Sequence, residues 1–546
     1  MKILVAIPKS PSTFAAGPGY IVACLKQARF EVDGCLVDCA VSFARTLRVG
    51  GYDIVMTGGL CSQYWLLKDI LDAARTAGAT TVLGGGIVTS EPELITRALR
   101  PDYSILNQGE VTAVELARAI QAGDGDAVPG TARVTAQGKF IMAPSRPEIA
   151  DLDSLPFPDH GALGFEEWLE RARPSDDDYL SVFDRPRFYP LVGSRSCPFS
   201  CTFCWHPSGG RWTTRSVPNI VAEVEFAISR YGMNILYIVD ELFTRNEQRL
   251  FAICEAMKKL RERHNFLWMA QCRVDGLSTA ALDTMKESGC YCLSYGIESH
   301  SQVILDSMRK RITTAQIDFA FTETYKRRMA IQSSLVMGSR NETPQTAAET
   351  FAFAYRHPEV RTLALPIYVV PDSSDYRYCV AEGLISDKLD HIANHWDRPL
   401  NFASMSDREH DTMLTSIYLH NIGNNLKATI QRGRNGTVSY TCPHCGENQT
   451  LSRFTIGRLA TKSVICRNCF GRVAISGLAK RFLVWLVCLL VPRVAWPYRL
   501  YRLLVLDSPS GFRKKTFSPA VQLPKCACSG TFARSCCSSG TNPSDL

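Results

Sequence analysis

Cys197, Cys201 and Cys204 lie in the run Gly193-Ser-Arg-Ser-Cys-Pro-Phe-Ser-Cys-Thr-Phe-Cys, a C-x3-C-x2-C spacing. Three thiolates on one short loop can hold three irons of a cubane iron–sulfur cluster. The fourth iron then has no protein ligand and stays open to a small molecule. A closed structural metal site supplies four ligands, so an incomplete cage points to chemistry at the open corner. A zinc or purely structural loop is the alternative. A second cysteine set is complete. Cys442 and Cys445 stand in Cys-Pro-His-Cys, and Cys466 and Cys469 in Cys-Arg-Asn-Cys. Two C-x2-C knuckles at that separation fit tetrahedral zinc and a zinc ribbon, with His444 a bystander. Four thiolates also bind iron, so an auxiliary iron–sulfur cluster is the other reading of this set.

The three-cysteine loop, with Phe203 before its last cysteine, resembles the radical S-adenosylmethionine (SAM) superfamily. The resemblance implies a [4Fe–4S] cluster whose open iron chelates the amino and carboxylate groups of SAM. It further implies one-electron cleavage of SAM to a 5'-deoxyadenosyl radical, with a reductant such as flavodoxin or ferredoxin as partner. It puts the Phe203 backbone near the adenine. Gly296-Ile-Glu-Ser resembles a strand end of that family near the nucleoside, which implicates Glu298 and Ser299. Asp240 is a candidate acceptor for the SAM ammonium or ribose. Gly338-Ser-Arg-Asn-Glu-Thr resembles a Gly-x-Pro-Gly-Glu-Thr turn, with Arg340 and Asn341 in place of Pro and Gly. Trp205 and His206, directly after the loop, are candidates to contact cluster or substrate.

These residues need a frame. Residues 1–145 alternate apolar runs (Lys2–Pro8, 32–37, 52–57, 80–83, 103–106) with amphipathic helical stretches. That pattern predicts a parallel sheet of five strands, covered on both faces: a doubly wound, flavodoxin-like α/β domain. Three glycine turns fall at the expected strand ends: Thr57-Gly-Gly-Leu, Leu83-Gly-Gly-Gly-Ile and Asn107-Gln-Gly-Glu. Such turns admit a large flat ligand close to the backbone. A domain of this kind before a radical SAM loop resembles the cobalamin-binding class of the superfamily. It implicates Gly84, Gly85, Gly109 and Glu110 in cobalamin binding. The loop after the first strand has no His, which excludes cobalt ligation from there. A purely structural domain is the alternative.

After a linker (146–185), repeated βα units over 186–400 predict a partial or full (β/α) barrel with its site at the carboxyl ends of the strands. A helical extension (401–435) and the zinc-ribbon-like module (436–475) follow. Cys272, Cys290 and Cys292 read as small core residues, with a radical-quenching role the alternative.

Bulk properties bound the rest. The chain has 546 residues, 46% hydrophobic and 21% charged, so several globular domains are expected. Its 21 cysteines, with no visible signal peptide, argue for metal ligation in a reducing, cytoplasmic compartment. The net charge is +8, but eleven basic and only two acidic residues lie from position 471 onward. The remaining body is near neutral, which argues against nucleic acid as a partner. Residues 476–505 combine Arg with Trp, Tyr and aliphatics and suit a membrane surface; 506–546 read as disordered. The function expected is cobalamin-dependent methyl transfer to an unactivated carbon of a small molecule. Cobalamin-independent cyclisation, rearrangement or methylthiolation, and a degenerate metal-binding scaffold at the membrane, are the rivals.

Overall fold

The computed structural model describes residues 1–477, apart from 10–13, 126–127, 207–208, 396, 424–426, 434–435 and 458–459. The basic apolar segment and the tail therefore lie outside the described residues, except for Ser476 and Gly477. Among the described residues no helix is long and apolar enough to cross a membrane.

The first sheet contains β1 (Lys2–Pro8), β2 (Glu31–Val37), β3 (Ile54–Gly58), β4 (Thr80–Gly84), β5 (Tyr103–Ile105), β6 (Thr131–Val134) and β7 (Phe140–Met142). Their order is β2-β1-β3-β4-β5-β6-β7. The first five are parallel, and β6 and β7 close the edge as an antiparallel hairpin. Strand β1 is buried on both sides. Ile3 and Val5 meet helices Ala16–Gln27 and Glu110–Ala122, and Leu4 and Ala6 meet helices Ala40–Gly50 and Tyr64–Thr76. A continuous apolar run is what such a strand requires. The order of the strands changes direction between β1 and β3, which places the ligand crevice at their carboxyl ends. The hairpin and helix Ala40–Gly50 lie beyond the five-strand expectation. That helix buries only Phe43 and Leu47, four residues apart on one face.

The second sheet is wholly parallel: β8 (Phe188–Leu191), β9 (Ile235–Ile238), β10 (Leu267–Cys272), β11 (Cys290–Glu298), β12 (Ala330–Met337) and β13 (Arg361–Pro366), paired in that order. The two end strands are not paired with each other, so the barrel is partial. Gln271, Ser294 and Gln332 stand in register on one face, and so do Gly296 and Ser334. These are partly or fully accessible, while their neighbours are buried. They therefore face the interior of the open barrel.

The stretch 146–185, expected as a linker, is packed. Phe165 and Leu169 on helix Phe165–Arg171 join the barrel core, and Asp178–Val182 is buried beneath the strand starts. Helix Asp407–Gly423 occupies the expected extension. The last module has two hairpins, β14 (Val438–Thr441) with β15 (Asn448–Leu451), and β16 (Thr461–Ile465) with β17 (Arg472–Ser476). Each hairpin turn carries one C-x2-C pair. The module sits under the amino ends of the barrel strands. Ile465 packs with Met269, Tyr291, Cys292 and Ala330, and the buried Arg472 guanidinium pairs with Asp178.

Candidate active site

The three-cysteine loop leaves the carboxyl end of β8 and is fixed at both ends. At its start, Asp240 at the end of β9 accepts the Gly193 N–H (2.6 Å) and the Ser194 hydroxyl (2.7 Å). Burial pushes this carboxyl up, and the two hydrogen bonds oppose that shift. Both oxygens of Asp240 are thus engaged by the loop itself, and Asp240 holds its start in place. Further on, the Thr202 N–H donates to Met308 O (3.0 Å) and its hydroxyl to Asp375 Oδ2 (3.0 Å), while its carbonyl accepts from Asp375 N (3.0 Å). Arg340 reaches the other Asp375 oxygen at 3.1 Å. The residue that departs from the familiar turn therefore acts on the cluster loop through Asp375.

Cys197, Cys201 and Cys204 are all partly buried. Burial pushes the Cys197 and Cys201 thiols up. The three sulfurs do not gather within 4.8 Å of one another, although Cys197 lies that close to donor atoms of His206 and Glu241. One ion would draw its ligands together, whereas a cubane holds each thiolate on a separate iron. The donor set and its spread fit a cluster. Phe203 packs on the apolar group of Ile367, Val369 and Tyr376, with Lys310 Nζ 5.8 Å from its ring centre.

Glu298 closes β11 at φ +62°, where the pairing with β12 shifts register. Its carboxylate meets Lys310 Nζ at 2.8 Å, both side chains about 9% exposed. Burial alone would lower Lys310; the Glu298 carboxylate outweighs it, and the ammonium stays charged. Ser299 shares a 2.8 Å hydrogen bond with Thr350 and accepts from Ser301 N, so it shapes the strand end. Arg273 pairs with Asp275 and lies over the Phe199 ring of the loop at 3.8 Å. Glu342 is buried in the Gly338 turn and accepts the Gly338 N–H at 3.0 Å. Burial pushes its carboxyl up to about 7. Asn341 supplies the positive φ (+43°) expected of the glycine it replaces.

The glycine turns of the first sheet face this loop. Gly85 has φ +86°, and a Cβ there would lie 2.6 Å from Gly59 N. A Cβ on Gly58 would lie 2.9 Å from Gly84 O. The two turns are stacked backbone on backbone, with the Gln63 side chain over Gly59 and Leu60 over Gly86. Next to them, a Cβ on Gly86 would come within 3.3 Å of the Trp205 ring, and Trp205 Nε1 donates to Asp372 (3.0 Å). Glu110, beside Gly109, is buried against Arg195, two residues before Cys197, at 2.6 Å. Glu110 therefore joins the first domain to the cluster loop. A backbone cradle beside a three-cysteine loop suits a flat macrocycle such as cobalamin. His206 Nδ1 contacts Glu241 Oε2 at 2.7 Å. Arg195, Lys310 and Asp375 were not singled out by sequence; the charged run Arg309-Lys-Arg was the visible signal for one of them.

Residues 191–354 match the family model of the radical SAM superfamily. The chain carries a radical SAM domain. Among curated relatives, this chain is 27% identical over 409 residues to an uncharacterized methyltransferase of Pyrococcus horikoshii, covering 70% of this chain and 84% of the relative. It is 27% identical to the anaerobic magnesium-protoporphyrin IX monomethyl ester cyclase of Rubrivivax gelatinosus, over 50% of this chain and 48% of that one. Two solved structures share its fold. The cobalamin-dependent SAM radical enzyme OxsB, with aqua-cobalamin and SAM bound, aligns with TM-score 0.64 at 14% identity, covering 77% of this chain and 66% of that one. The radical SAM methyltransferase TsrM of Kitasatospora setae, with cobalamin and a [4Fe–4S] cluster, aligns with TM-score 0.57 at 18% identity, covering 70% and 75%.

Proposed function

We propose that this radical SAM enzyme carries out cobalamin-dependent methyl transfer to an unactivated carbon of a small molecule. One observation carries the reading: the cluster loop meets the glycine turns of the first sheet directly, through Trp205 at Gly86 and Arg195 at Glu110. Both cofactors would then open on one cavity. When bound, the cluster supplies an electron to SAM and cobalamin carries the methyl group; the protein orients both and excludes water. Cys197, Cys201 and Cys204 would hold the cluster, with the Phe203 backbone at the nucleoside. Glu298, with Lys310, and Ser299 shape that end of the barrel, and Asp240 keeps the loop in place. Gly84, Gly85 and Gly109 leave room for the macrocycle. The interior band of Gln271, Ser294, Gln332 and Ser334 offers amide and hydroxyl groups to a substrate. A low-potential protein such as flavodoxin or ferredoxin would serve as reductant. Relatives named as methyltransferases, among them a cytidylyl-2-hydroxyethylphosphonate methyltransferase of Streptomyces wedmorensis, support methyl transfer, while the Rubrivivax gelatinosus relative is a cyclase. Anaerobically loaded protein should release both 5'-deoxyadenosine and S-adenosylhomocysteine. Alanine at any one of the three cysteines should abolish reductive SAM cleavage; retained cleavage in the triple variant overturns the assignment.

We further propose that Cys442, Cys445, Cys466 and Cys469 hold one zinc ion. The Cys442–Cys469 and Cys445–Cys466 sulfurs are each 3.8 Å apart, and all four lie within 4.8 Å of one another. A tetrahedron of zinc–sulfur bonds of ~2.3 Å has edges of about 3.8 Å. Thiolates on the separate irons of a cubane would stand further apart, so the spacing favours a single ion over an auxiliary cluster. Metal analysis should give one zinc per chain, unchanged by iron loading.

A further inference from the structure

The outer face of the cluster loop carries positive charge with no task inside the site. Pro198 and Ser200, between Cys197 and Cys201, are exposed. The loop is tied to the turn that follows helix Gln302–Ser307. Thr202 N–H donates to Met308 O (3.0 Å), and Cys201 Sγ lies 3.9 Å from Arg309 O. Arg273, stacked on Phe199 of the loop, donates to Lys310 O (2.8 Å). Arg309 and Arg311 both take left-handed backbone, at φ +53° and +55°. Lys310 between them turns inward to Glu298, and both arginines are exposed. Among the described residues neither guanidinium has an ion-pair or hydrogen-bond partner. Arg340 adds a third, partly exposed, on the buried Asp375. Asp306 is the acidic residue of the same turn, and its carboxylate accepts from Gln302 (2.9 Å). In a body close to neutral, this is a local basic excess set over a cluster ligand.

We infer that Arg309 and Arg311 form a docking surface for a small acidic protein that delivers one electron to the cluster. The inference rests on the reading of Cys197, Cys201 and Cys204 as cluster ligands. An electron must enter that centre from outside, and its transfer falls off steeply with distance. The donor therefore needs a face where a cluster ligand lies close beneath the surface. Cys201 is such a ligand: it is only partly buried, and it touches the Arg309 backbone. Free arginines at that point attract an acidic partner, speed its encounter and turn its redox centre toward Cys201. Because their turn is fixed to the loop at three points, the surface is preformed, and docking does not have to order that backbone. The step itself is a bare electron transfer. The donor loses one electron, the oxidised cluster gains it, and no bond or proton moves.

The test uses full-length, iron-loaded protein and a dye-labelled acidic flavodoxin, with binding read as fluorescence anisotropy. Wild-type affinity should fall about tenfold from low salt to ~0.2 M salt, because salt screens exposed charges. Arg309→Glu/Arg311→Glu should weaken binding roughly tenfold at low salt. Arg309→Asn/Arg311→Asn suits left-handed backbone and only removes the charge, so it should fall in between. Lys258→Glu/Lys259→Glu makes the same change on the last turn of helix Glu247–Arg261, toward the amino ends of the strands, and should bind as wild type. Reduction of the cluster by flavodoxin hydroquinone, followed by visible absorbance, should slow in parallel in the Arg309→Glu/Arg311→Glu protein. Reduction by methyl viologen radical, which needs no docking, should keep its rate, and equal slowing there overturns the inference. So does affinity that ignores salt, that is equal in wild type and both arginine variants, or that falls as far in the lysine variant. Wild type that binds no flavodoxin at low salt overturns it too. Should Arg309→Glu/Arg311→Glu lose its iron, the asparagine variant and the wild-type salt series decide. Iron and sulfide content of the wild-type protein tests the cluster reading separately. A chain that takes up neither overturns that reading, and the inference with it; a loaded chain whose binding ignores the arginines overturns the inference alone.

Discussion

Glu342 is the side chain of this site whose burial has a cost that pH can measure. Its carboxyl is pushed by burial from 4.5 to about 7, against the hydrogen bonds from Gly338 and Thr346. The folded chain therefore binds this proton more tightly than the unfolded chain does. The stability it contributes is fully present below about pH 4.5 and is lost as pH rises to about 7, with no further change above. At about 1.4 kcal/mol per pH unit the loss is on the order of 3 kcal/mol. Glu342→Gln should flatten this slope and leave the protein more stable than wild type at pH 8 in denaturant titrations. The Glu298–Lys310 pair behaves differently, because both partners are charged and buried. Glu298→Gln leaves an ammonium without its counter-ion and should cost roughly 3–5 kcal/mol, well beyond the effect of a surface pair. Denaturant unfolding at neutral pH measures it.

At the scale of elements, the prediction concerns the glycine cradle. Gly85→Ala places a methyl group 2.6 Å from the backbone of Gly59 at φ +86°. The substitution should cost ~1–3 kcal/mol and strongly reduce cobalamin uptake, with iron loading retained. Absorbance of bound cobalamin beside iron content separates the two effects. Much of the frame was legible in sequence. The first sheet announces itself because each strand is a continuous apolar run, and the cluster loop because its ligands are neighbours in the chain. Helix Ala40–Gly50 escaped because only two of its residues are buried, and the hairpin β6–β7 because strands of four and three residues carry no period. The contacts that position the site were not legible either. Arg195–Glu110 spans 85 residues and Thr202–Asp375 spans 173, and no local pattern marks either partner. Asp240 illustrates a further limit. Its place at a strand end was readable, but that both its oxygens are taken by Gly193 and Ser194 depends on the path of the loop.

At the scale of the molecule, the described residues form one compact unit, in which the four-cysteine module and the cluster loop lie at opposite ends of the barrel strands. Asp178→Asn would leave the Arg472 guanidinium buried without its counter-charge. It should destabilise the protein by roughly 3–5 kcal/mol while the cluster loop keeps its iron. Removal of the zinc proposed for the four cysteines should weaken the same floor, read as faster amide exchange in Met269, Cys292 and Ala330, because the binding energy of such a metal is part of its module's folding energy. The floor has one more consequence, for the order of assembly. Ile465 N–H donates to Ser181 Oγ across 284 residues, and Arg472 reaches Asp178 across 294. A chain made from its amino end forms every barrel strand before the piece that covers their lower ends exists. Contacts of such separation close late and slowly. During synthesis the nascent barrel therefore exposes Tyr291 and Met269, and it stays vulnerable to aggregation until residue 472 has left the ribosome.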